Sequence, residues 1–112
     1  MVEIRNYHFE PTRFDEYKRW AETLAVPYLR TKMDIVGFWV TSDIPPIHGG
    51  SLPHENVDPA NVTWVIRWRD KTQRDKAWQE LRSSPEWQSI LALVPGGEQG
   101  YLRAEARFAI EL

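Results

Sequence analysis

The sequence contains no cysteine. Disulfides, thiolate catalysis and Cys-ligated zinc or iron–sulfur centres are therefore excluded, and a cytoplasmic setting is expected. No apolar run approaches the ~20 residues of a membrane-spanning helix. No leader pattern of charged and then apolar residues precedes the first strand, so neither membrane insertion nor export is expected. An excess of positive charge is lacking too: 14 Lys and Arg stand against 16 Asp and Glu, well mixed, for a net charge of −2. Without a basic stripe to hold a phosphate backbone, nucleic-acid binding is disfavoured. His48 and His54, six residues apart in an irregular segment, match no metal-ligand spacing. Gly49-Gly50 and Gly96-Gly97 lack the strand–turn–helix setting of a phosphate loop. No Ser sits in a nucleophile elbow. No metal and no cofactor are expected.

Aromatic side chains are what the chain has in quantity: 6 Trp, 4 Tyr and 4 Phe in 112 residues. One domain of this size buries roughly 60–70% of its extended surface, enough for one core without staples. The apolar pattern repeats a strand–helix–strand unit. Strands are expected at Val2–Phe9, Ile35–Thr41, Val62–Trp68 and Leu102–Glu111, and helices over Phe14–Met33 and Lys71–Val94. In the first helix Phe14, Tyr17, Ala21, Leu24, Ala25 and Tyr28 recur at steps of three and four. Thr12 with Asp15 resembles a capping box, and Pro27 inside the pattern predicts a kink near Leu24. In the second, Ser84-Pro85-Glu86 restarts the helix, with Ser84 as N-cap. Gly37 marks a bulge or a close approach. The order βαββαβ is the ferredoxin-like α+β pattern, an antiparallel sheet with two helices on one face.

Asp43–Ala60 shows no period and holds four of the eight prolines. A loop of this length is uncommon in a compact domain and is usually functional or mobile. It joins the second and third strands and is expected to project beyond the sheet.

Alternation along the strands places Val2 and Ile4, Val62, Trp64 and Ile66, and Leu102 to Phe108 in steps of two, under the helices. The opposite, helix-free face then carries Glu3, Arg5, Tyr7, Phe9, Arg67, Arg103, Glu105 and Arg107, with cross-strand pairs such as Glu3–Arg67 or Arg5–Glu105. The second strand is apolar on both sides, which predicts cover by a partner. A two-fold homodimer with its sheets face to face is the economical solution. The candidate ligand-binding residues are Arg5, Tyr7, Trp39 and Arg67. Two guanidiniums suit a carboxylate or an enolised carbonyl, and a phenol supplies a donor. Tyr7 and His8 are the catalytic candidates, His8 as an acid or base at a strand end. The competing reading makes the same charges register-fixing salt bridges.

The residues Val2-Glu3-Ile4-Arg5-Asn6-Tyr7, Val36-Gly37-Phe38-Trp39, Val62–Trp68 and Ser84-Pro85-Glu86-Trp87-Gln88, in this order and spacing, resemble the NIPSNAP domain. The resemblance covers nearly the whole chain and implies a dimeric α/β barrel of two ferredoxin-like units. It implies no catalytic set, and the long Pro-rich connection departs from the family's usual pattern. Three functions are open: a small-molecule-binding domain or enzyme for a small carbonyl or carboxylate compound, a non-enzymatic homodimeric interaction domain, and a cofactor-free monooxygenase.

Overall fold

A computed structural model describes residues 1–53 and 59–112. Four antiparallel strands, β1 (Val2–Phe9), β2 (Asp34–Val40), β3 (Val62–Arg67) and β4 (Tyr101–Ala109), form one sheet in the order β2-β3-β1-β4. The helices are α1 (Phe14–Trp20), α2 (Val26–Arg30), α3 (Lys71–Arg82) and α4 (Pro85–Leu91). This is the expected ferredoxin-like α+β fold, with β1 between β3 and β4.

Local chemistry explains the element ends. The Asp70 side chain accepts from the Gln73 N–H and starts α3; the Ser84 hydroxyl accepts from the Trp87 N–H and starts α4, as expected. Pro85 occupies the first turn of α4, where its missing N–H costs nothing. The expected Thr12–Asp15 box does not form. Thr12 instead bonds the Glu10 carboxylate, which caps a short 3₁₀ turn, Pro11–Arg13. Between α1 and α2 the chain widens into a π turn, Ala21–Ala25, and α2 begins with Pro27 in its first turn. Pro27 has no N–H to give, and the π turn absorbs the break that its position predicts.

The register of β2 slips between Ile35 and Gly37, which makes Val36 a bulge. The bulge brings Ile35, Phe38 and Val40 to the side of Ile66, Trp64 and Val62. Trp39 falls on the other side and folds back over Gly37, where an added Cβ would lie 2.2 Å from its ring. Both halves of the expectation for Gly37 are met.

The core lies between sheet and helices, with Phe9, Tyr17, Val62 and Ile66 fully buried. One strand is phased differently from expectation. Glu3, Arg5 and Tyr7 lie opposite Ile66, Trp64 and Val62 on β3 and opposite Phe108, Ala106 and Ala104 on β4, and Phe9 lies opposite Tyr101, so all four point beneath the helices. Val2, Ile4, Asn6 and His8 take the helix-free face. Alternation gives two faces but not which one is inward, and charge was the wrong guide: Glu3 has 0% exposure. Neither proposed cross-strand pair forms. Glu3 bonds Arg5 and Arg74, and Arg67 bonds Glu111.

The described part of the connection between β2 and β3 has no regular structure, and its Ile44, Ile47 and Leu52 are exposed, Ile47 to 97%. His54, Glu55 and Asp58 lie outside the described residues. Among the described residues no helix is long and apolar enough to cross a membrane, and no His/Cys/Asp/Glu group is arranged to hold a metal.

Candidate functional site

A cavity of about 470 Å³ opens between the sheet and the helices. Half of its lining is aromatic: Tyr7, Phe38, Trp64 and Tyr101 from the sheet, and Tyr17, Trp20, Trp78 and Trp87 from the helices. The polar part of the wall comes from Arg5, Arg74, Arg82 and Glu98.

Behind that wall the Glu3 carboxylate anchors the site. Its Oε1 accepts from Trp68 Nε1 at 3.0 Å, Arg74 Nε at 3.0 Å and Trp78 Nε1 at 3.2 Å. Its Oε2 accepts from Arg5 Nη1 at 2.6 Å and Arg74 Nη2 at 3.1 Å. Burial pushes the Glu3 carboxyl up, but hydrogen bonds from Arg74, Arg5 and Trp78 outweigh it and hold the group below the usual carboxylate value. Glu3 is thus an ionised anchor for two guanidiniums.

Arg5 is fixed on three sides. Nη1 holds Glu3, Nε donates to Tyr7 Oη at 2.8 Å, and the guanidinium carbon sits 4.6 Å from the Trp78 ring centre. Tyr7 Oη also accepts from Trp64 Nε1 at 3.0 Å. With both lone pairs engaged, what the Tyr7 hydroxyl has left to offer is its O–H, as a donor. Tyr17 and Tyr101 form a second phenol pair, their rings 6.0 Å apart and edge-on. Burial pushes both phenols up, Tyr101 to about 12 and Tyr17 further, with the neighbouring Tyr101 adding to the rise at Tyr17. Both stay neutral at physiological pH. The site can therefore stack a flat apolar body and offer phenol and guanidinium donors to an oxygen.

Of the sequence candidates, Arg5 and Tyr7 come together in this wall. Trp39 and Arg67 do not reach it. Trp39 is 52% exposed on the helix-free face, and Arg67 is on that face with Glu111 2.7 Å away. His8 also faces away from the cavity, opposite Arg103 on β4. Sequence reasoning missed the α3 contribution. Arg74, Trp78 and Arg82 recur every four residues, one stripe of a helix. That spacing is the signal in the sequence, and the apolar stripe of α3 alone does not show it.

The NIPSNAP family model matches residues 2–99. The chain belongs to the NIPSNAP family. Among solved structures it is similar to a NIPSNAP domain protein from Burkholderia xenovorans, with a TM-score of 0.74, 15% identity, and coverage of 99% of this chain and 93% of that one. A NIPSNAP family protein from Agrobacterium tumefaciens gives a TM-score of 0.76 at 15% identity, covering 99% and 91%. An antibiotic biosynthesis monooxygenase gives 0.57 at 12% identity, covering 100% and 99%. At these identities the likeness is one of fold. Comparison with the curated proteins finds no match.

Proposed function

We propose that this NIPSNAP domain binds a small carbonyl or carboxylate compound in the cavity between its sheet and helices, and acts there as a binding domain or enzyme. The observation that carries the reading is the wall itself: Arg5, locked by Glu3 and Trp78, beside a Tyr7 hydroxyl whose proton is left to donate. A solid salt-bridged core would have no space beside these groups. Arg5 and Tyr7 orient the oxygen of the bound compound, and the neutral Tyr101 is the acid within reach of the same space.

The test is a binding screen of small carbonyl and carboxylate compounds by ligand-observed NMR, on the wild type and on Ala104→Phe. Ala104 is an exposed lining residue, so the larger ring narrows the cavity without entering the core. Binding by the wild type that Ala104→Phe abolishes supports the proposal. Binding indifferent to that change, or none across a broad panel, removes it.

A second reading is favoured by the aromatic lining together with the fold likeness to the monooxygenase: oxidation of an electron-rich aromatic compound without a cofactor. Oxygen uptake on a quinol panel tests it, and a negative panel sets it aside.

The helix-free face supports a homodimer. Trp39 and Val36 are about half exposed there, and Ile44 and Ile47 of the connection that follows β2 are exposed as well. A second copy covering this face leaves each cavity on the outer, helical side. A non-enzymatic interaction domain would use only this dimer face. The lack of cysteine supports a cytoplasmic setting.

A further inference from the structure

The charges around the cavity do not cancel. Arg5 and Arg74 share the single carboxylate of Glu3, at 2.6 and 3.0 Å. Asp75 touches Arg74 at 3.1 Å but is itself held by Lys71 at 2.6 Å, and that acid–base pair cancels. Arg82, in the last turn of α3, lines the cavity and forms no ion pair among the described residues; Glu98 also lines it. Three guanidiniums thus face two carboxylates, which leaves one positive charge. The Arg5 and Arg74 side chains that carry part of it are only 21% exposed and sit against Trp78. A charge drawn partly out of water favours a counter-charge.

Shape adds the second constraint. Trp20, Trp78 and Trp87 line the cavity from the helices, and Tyr101 lines it from the sheet. A wall this rich in aromatic side chains gains most from an aromatic guest, whose ring can meet them edge-on or offset. We infer that the ligand is a planar aromatic acid carrying one carboxylate, and that Arg82 sets the preference for its charge. This inference rests on the cavity being the binding site. Arg5 and Arg74 share Glu3 and hold the wall, with Arg5 and Tyr7 left to orient an oxygen of the guest; Arg82 is the lining guanidinium that has no ion pair among the described residues. The guest's ring lies among the indoles, and its carboxylate balances the excess charge, taking a bidentate pair from the guanidinium of Arg82.

Isothermal titration with three probes tests the idea: naphthoate, its neutral isostere naphthamide, and saturated decalin carboxylate. Naphthoate is expected to bind on the order of tenfold more tightly than naphthamide, the scale of one charge-assisted hydrogen bond. It is also expected to bind more tightly than decalin carboxylate. Arg82→Gln should weaken naphthoate by a similar factor and leave naphthamide unchanged, and Glu98→Gln should tighten naphthoate. Both side chains are exposed, so circular dichroism of the two variants should match the wild type. Equal affinity for naphthoate and naphthamide overturns the charge preference while leaving the cavity a binding site, and so does an Arg82→Gln loss that falls equally on both. Equal affinity for the saturated acid overturns the aromatic preference. Failure of all three probes to bind removes this inference, and failure of the broader panel as well removes the binding function beneath it.

Discussion

Glu3 and Arg74, 71 residues apart in the chain, are joined by two hydrogen bonds of 3.0 and 3.1 Å that tie the first strand to the third helix. This pair, with Arg5 as its third member, places a salt bridge where the sheet would otherwise present an apolar surface. Removing one partner of such a buried pair leaves an uncompensated charge. Glu3→Ala is expected to cost about 3–5 kcal/mol. Urea denaturation of wild type and variant reads this directly, and a loss below 1 kcal/mol, the scale of an exposed pair, would show that Glu3 is not the anchor.

The same group fixes the acid limb of stability. The Glu3 carboxyl is lowered in the folded protein, against burial, by Arg74, Arg5 and Trp78. A lowered folded value means that the unfolded chain binds the proton more readily, so stability rises with pH through this region. The contribution is complete above the ordinary value of 4.5 and is lost as pH falls from there through the folded value. Glu3→Gln should be less stable at neutral pH and flatter across this acid window. A slope identical to wild type would assign the acid sensitivity to other carboxylates.

At the alkaline limb the sign is reversed. The Tyr17 and Tyr101 phenols are raised above 10.0 by burial, Tyr101 to about 12. Their contribution is present below pH 10.0 and is lost as pH rises through the folded values. Phenolate absorbance of the native protein should show part of the tyrosine signal delayed beyond that of the denatured chain. Tyr101→Phe should shrink the delayed part.

How much of this was legible in the sequence depends on how far apart the interacting residues lie. The succession of elements, the Ser84 cap, the break before Pro27 and the bulge beside Gly37 follow from neighbours within a few residues, and all are present. The facing of β1 was not legible. Glu3 and Arg5 alternate with Val2 and Ile4, and hydrophobicity alone assigns the apolar pair to the inner face. What turns the charged pair inward is Arg74, with the indoles of Trp68 and Trp78, and no local pattern announces partners that distant. Arg67 lies on the helix-free face, where alternation with Ile66 puts it; it is Arg5 and Tyr7, turned inward with Glu3, that leave it outside the site. Trp39 likewise stays on the helix-free face, while the bulge at Val36 that Gly37 signals sets Ile35, Phe38 and Val40 on the inner one.

The helix-free face gives a prediction of its own. The proposed dimer should sediment at twice the 13.2 kDa chain mass at micromolar concentration. Trp39→Glu, which sets a charge on that face, should shift it to the monomer without altering ligand binding in the cavity. A wild type that sediments as a monomer contradicts the dimer.

The central claim is that the space bounded by Arg5, Tyr7, Trp78 and Tyr101 is a ligand site. A crystal structure of the protein grown with an aromatic carboxylate tests it most directly. The expected result is a planar ligand inside the cavity between sheet and helices, its carboxylate within hydrogen-bond distance of a guanidinium. A ligand bound only on the helix-free face, or a cavity closed by its own aromatic side chains with the compound in excess, would contradict the account.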